Sequence, residues 1–180
     1  MVKLLFDRVS RNPPRPTVTC RRRASYTRPE AMANKYVTEE VRKQIGKTAE
    51  PRTYDVERGA IRRFAEAIGD SNPLFNSDKE ARHSHHGGMI APPTFCRSMM
   101  AAFPEVKIEI PGNRGLDGGS DWEYFEPIRP GDRITVQCKI ADIRESEGRL
   151  GAMVFTTIET SYTNQFEQVV ALQRSTGIRY

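Results

Sequence analysis

From Gly115 to the C-terminus the chain reads as strand after strand separated only by short turns, and this tail constrains the fold more than any other feature. Ile134, Val136, Cys138 and Ile140 alternate with polar residues, the period-two pattern of a strand with one buried face. Met153–Thr160 is rich in β-branched and aromatic residues, and Val169-Val170-Ala171-Leu172 opens a last strand running to about Ile178. Gly115–Phe125 leads in as a further strand. Turns fall at Pro127–Asp132, at Glu147-Gly148-Arg149 and at Thr163-Asn164-Gln165.

The helical signals lie upstream. Thr38 is a good N-cap for a short helix that stops at Gly46, and Arg52–Val56 follows as a strand. Between Glu57 and Ile68, the residues Ile61, Phe64, Ala65 and Ile68 fall at i, i+3, i+4 and i+7, one apolar helical face ending at Gly69. The stretch from Asp70 to Pro93 is turn-rich, with one short helical candidate at Asp78–Arg82. Pro93–Phe103 is apolar and rich in methionine, and it predicts a buried helix of about ten residues with proline in its first turn. Helices first and antiparallel strands after them argue for an α+β domain. A curved antiparallel sheet wrapped around one buried central helix accommodates every segment.

Charge divides the chain in two. Residues 1–31 carry eight Lys/Arg against Asp7 and Glu30, and the other 149 residues carry 20 against 21. A near-neutral domain over 32–180 holds no general attraction for polyphosphate, so nucleic acid is not an expected partner. Residues 1–31 also contain four prolines and almost no apolar periodicity, which predicts disorder. A transit peptide, a basic arm and extra sequence ahead of a start at Met32 are the readings open for them. The last is preferred, because the compositional break falls at Met32-Ala33-Asn34-Lys35-Tyr36. Cys20, Cys96 and Cys138 are odd in number and widely spaced, which suits a reducing cytoplasm better than a disulfide framework. No apolar run reaches the roughly 18 residues a membrane helix needs.

Five segments taken in order resemble the MaoC-like dehydratases, in the N-terminal "FAS1-like dehydratase" version. They are Phe64–Phe75, Met89–Phe95, Leu116–Phe125, Pro127–Asp132 and Tyr162–Gln165. The resemblance spans nearly all of 32–180. It implies a single hotdog fold and (R)-specific hydration or dehydration of an acyl thioester carried on CoA or acyl carrier protein, with no cofactor and no metal. Such chemistry needs one group for the C2 proton, one for the leaving hydroxyl, and donors for the thioester enolate. Related active hydratases use Asp-x-Asn-Pro-x-His. Here Asp70, Asn72 and Pro73 match, but Phe75 stands at the histidine position and cannot move a proton. Asp70 is the candidate catalytic residue, and a turn cap is its alternative role.

Asn72, Gly87, Gly88, Met89, Pro93 and Thr94 are the candidate substrate-binding residues that the resemblance implies. The glycines also suit a tight loop. His83, His85 and His86 follow the motif; a solvated loop is their expected role, with replacement base and metal ligand as alternatives. Members lacking the histidine work beside a second hotdog that carries the full Asp/His pair, so a heterodimer is expected, with a homodimer as the other arrangement. The competing functions are a non-catalytic acyl-thioester binding or assembly protein and a hotdog thioesterase. The Asp-x-Asn-Pro turn argues against the thioesterase.

Overall fold

The computed structural model describes residues 35–110, 114–148 and 151–180. The expected leader, 1–31, lies outside the described residues, as does Arg149 of the expected Glu147–Arg149 turn. Five strands form one antiparallel sheet: β1 (Arg52–Asp55), β2 (Gly115–Tyr124), β3 (Arg133–Gly148), β4 (Gly151–Thr163) and β5 (Val169–Arg179), in the spatial order β1-β3-β4-β5-β2.

Alternation sets which face of the sheet is buried. Ile134, Val136, Cys138 and Ile140 all lie inside, and a bulge between Ile140 and Asp142 then shifts the phase so that Ile143 is also buried. One extra residue in a strand flips every later side chain to the other face. The bulge thus keeps the inner side of this 16-residue strand apolar as far as Ile143.

Two apolar clusters cover that inner face. The larger joins Ile134, Val136, Tyr162, Val170 and Ala171 of the sheet to Ile61 and Ala65 of helix α2 (Arg58–Ala67) and to Phe95, Cys96 and Met99. The smaller joins Ile140, Ile143 and Val154 to Val37 and Val41, the latter on helix α1 (Glu39–Arg42), which Thr38 caps by accepting from the Val41 amide. Two single-turn helices, α3 (Pro73–Asn76) and α4 (Asp78–Ala81), follow α2.

The helix expected at Pro93–Phe103 is the main local correction. Only Pro93–Ser98 is helical, as a 3₁₀ helix, and no regular element continues it through Ile110. The Ser98 hydroxyl donates to Phe95 O at 2.7 Å and the Tyr54 hydroxyl donates to Met100 O at 2.5 Å, taking carbonyls that a longer helix would use. Pro104 also biases Phe103 away from helical geometry. The sheet therefore closes on α2 and a short 3₁₀ helix. The extended segment beyond them packs Val106, Ile108 and Ile110 against the smaller cluster. Gln44 fixes this segment as a strand would: its side-chain amide donates to Lys107 O and accepts from Lys107 N, both at 2.9 Å.

Candidate functional site

Helix α2 ends in a defined way. Gly69 adopts φ +70, its N–H donates to Glu66 O, and the Asp70 N–H donates to Ala65 O at 2.8 Å. This is a Schellman stop, which favours glycine at that position. The next residues form a closed turn. Asp70 Oδ1 accepts from Asn72 N at 2.9 Å, and Asn72 Oδ1 accepts from Leu74 N at 3.0 Å, capping α3. Asn76 Nδ2 donates to both Asp70 O and Asn72 O. Pro73 takes the first helical position, where its missing N–H costs nothing. The Asp70 and Asn72 side chains of the Asp-x-Asn-Pro signature thus each hold the backbone of their own turn through Oδ1.

The same turn sends Phe75 inward. Its side chain is 6% exposed and belongs to the larger cluster with Met89, Ile90 and Phe95. Asp70 lines a shallow recess with Arg62, Glu66, Gly69, Ser71 and Asn76, and no histidine lines that recess. His83 and His85 are exposed on the following loop. The rings of His85 and His86 lie 3.7 Å apart, and burial, His85 and Arg129 together lower the His86 pKa from its ordinary value. Among the described residues no group of three His, Cys, Asp or Glu side chains is arranged to hold a metal.

Hydrogen bonds gather the signature segments at one end of the sheet. Ile90 N donates to Leu74 O, and Ala91 N donates to Ile128 O. Arg129 Nη1 donates to His86 O at 2.9 Å, and Gln165 Nε2 donates to Asp132 Oδ1 at 3.1 Å. Trp122 packs against the larger cluster, its ring 5.8 Å from that of Tyr162.

The other candidate binding residues stand in different settings. Gly87 adopts φ +67, and its N–H donates to Ser84 O, so it closes the loop. Met89 is buried, Gly88 has open space about its Cα, and the side chains of Pro93 and Thr94 are exposed on the 3₁₀ helix.

Sequence reasoning missed the extended segment. The alternation of Val106, Ile108 and Ile110 with charged residues was the signal that could have found it.

A curved antiparallel sheet closed on a helix, with an Asp-x-Asn-Pro turn at the helix end, defines the hotdog dehydratase class. Residues 43–173 match the FAS1-like, dehydratase domain region, and the chain belongs to that family. A UPF0336 protein of Streptomyces coelicolor is 38% identical over 111 residues, covering 58% of this chain and 73% of that protein. A probable enoyl-CoA hydratase alpha subunit of Thermomonospora curvata is 30% identical over 138 residues, covering 67% of this chain and 43% of that one. Among solved structures, the MaoC-like dehydratase of Rhodospirillum rubrum superposes with a TM-score of 0.61 at 23% identity, covering 76% of this chain and 92% of that one. The ChsH1-ChsH2 complex of Mycobacterium tuberculosis gives 0.64 at 20%, covering 78% and 89%. Among the described residues no helix is long and apolar enough to cross a membrane.

Proposed function

We propose that the chain is one subunit of an (R)-specific 3-hydroxyacyl-thioester dehydratase, or enoyl-thioester hydratase. It shapes the acyl site and supplies an interface, while a partner hotdog contributes the complete Asp/His pair. The observation that carries this reading is Phe75, an apolar side chain buried in the core where proton transfer requires an imidazole. The recess at Asp70 supplies one carboxylate whose Oδ1 is engaged by the Asn72 amide. Two relatives favour the same reading: one is named as an alpha subunit, and one neighbouring structure is a complex of two different chains.

The test pairs this chain with a hotdog protein carrying Asp-x-Asn-Pro-x-His, ideally one encoded next to it, and follows hydration of a trans-2-enoyl-CoA. The pair is expected to turn over while the lone chain stays at background. Asp70→Asn here is expected to change the pair's kcat less than about threefold. The equivalent change in the partner should cost the 10²–10⁴-fold typical of a lost acid or base. Robust hydration by the lone chain would overturn the partner requirement. Acyl-CoA binding by the pair without turnover would favour the assembly role.

A further inference from the structure

The sheet's inner face holds a cavity that shares no lining residue with the Asp70 recess. Directly opposed residues of antiparallel strands share a face. The pairs Tyr162–Ala171, Thr160–Gln173, Ile158–Ser175 and Thr156–Gly177 thus lie in successive rows along the inner side of β4 and β5. Tyr162, Thr160 and Gln173 are buried, so the first two rows are covered. The next two open into a cavity of about 470 Å³. Its floor is Thr156, Ile158, Ser175 and Gly177, and the extended segment at Phe103, Pro104 and Val106 forms its roof. Small-molecule sites typically occupy about 300–1,000 Å³ and combine apolar walls with a few polar groups.

Three features select the occupant. The walls are apolar, formed by Phe103, Pro104, Val106 and Ile158, and Phe103 is 64% exposed, an apolar area left to water. The floor is bare at Gly177, where an added Cβ would meet only Thr156 O at 4.0 Å, so a slender chain can lie flat on the strand. Arg179 lines the cavity and forms no ion pair among the described residues. An apolar trough that ends at a guanidinium fits an alkyl chain with a carboxylate head.

We propose that this trough binds a single fatty carboxylate, its chain on Gly177 beneath Phe103–Val106 and its head on Arg179. The site lies roughly 20 Å along β5 from Ala171, at about 3.3 Å per residue. It needs neither the partner nor hydration activity.

The test is calorimetric titration of the full chain with dodecanoate and with decanol. Dodecanoate is expected to bind one per chain, and affinity should rise about fourfold for each methylene the trough covers. Gly177→Leu fills the floor at a backbone conformation that L residues adopt freely, so it should weaken both ligands at least tenfold while the melting temperature holds. Arg179→Gln should weaken dodecanoate roughly tenfold and leave decanol unchanged. Thr176→Val, on the opposite face of the same strand, should change neither. No dodecanoate binding, or binding unaltered by Gly177→Leu and Arg179→Gln, overturns the site. Because no thioester or partner enters the titration, that failure leaves the subunit reading standing, and an inactive heteromer leaves this site standing.

Discussion

Position 75 shows how one residue separates a fold signature from the chemistry it accompanies elsewhere. The turn from Gly69 to Asn76 closes on itself through the Asp70, Asn72 and Asn76 side chains, and none of those bonds involves the Phe75 side chain. The turn therefore keeps its shape with phenylalanine, and the phenyl ring fills core volume. Phe75→His should lower stability by about 3 kcal/mol, through lost apolar contact and a buried polar ring. It should also leave the lone chain inactive, since the side chain at 75 enters the core while Asp70 lines an outer recess. Urea unfolding and the enoyl-CoA assay check both halves. Hydration by Phe75→His that Asp70→Asn then removes would show that the two positions can meet. Asp70, Asn72 and Phe75 were legible in the sequence through the motif they resemble, and a turn cap was among the roles open to Asp70. The burial of Phe75 was not legible, because it depends on how the turn packs against Met89, Ile90 and Phe95. The Gly87 amide was not, because its bond to Ser84 O depends on how the loop closes.

At the scale of elements, β3, β4 and β5 are held on their outer face by a charged row. Lys139, Glu159 and Arg174 stand directly opposite one another across the three strands. Glu159 sits between its partners, 2.7 Å from Lys139 Nζ and 3.0 Å from Arg174 Nε, with its side chain only 17% exposed. The hydrogen bond from Lys139 leads in lowering its pKa, with Arg174 adding to it against the cost of burial. A carboxylate whose folded pKa is depressed adds stability above its unfolded pKa and loses it as pH falls through the folded value. Glu159→Gln should thus cost about 1 kcal/mol near neutral pH and nothing at strongly acid pH. Melting curves of the two proteins across the acid range should converge; parallel curves would remove the carboxylate's role. The strands themselves were readable because burial on one face writes a period of two into the sequence. The helix at Pro93–Phe103 was misread because composition reports burial but not which carbonyls Ser98 and Tyr54 occupy.

At the scale of the whole molecule, the described residues give the sheet two edges, the four-residue β1 and the ten-residue β2. β2 pairs with β5 on one side only, and nine of its ten residues are exposed, whereas β3, β4 and β5 each bury several. A free edge is a template for another strand, and proteins either blunt it or use it. Here the bulge at Asp117–Ser120, with Gly119 at φ +98 and its N–H donating to Asp117 Oδ1, interrupts one half of the strand. The other half runs uninterrupted through Trp122 to Tyr124, with Phe125 just beyond its end, and Tyr124 and Phe125 are 46% and 54% exposed. That regular, aromatic half is where the proposed partner subunit would bury the most apolar area. Replacing Tyr124 and Phe125 together by Asp should abolish co-purification with the partner. The lone chain's unfolding free energy should shift by no more than about 1 kcal/mol, since exposed side chains contribute little to the monomer. Size-exclusion chromatography of the mixed chains reads the first effect and urea unfolding the second. A heteromer that survives the double substitution would move the interface off this edge.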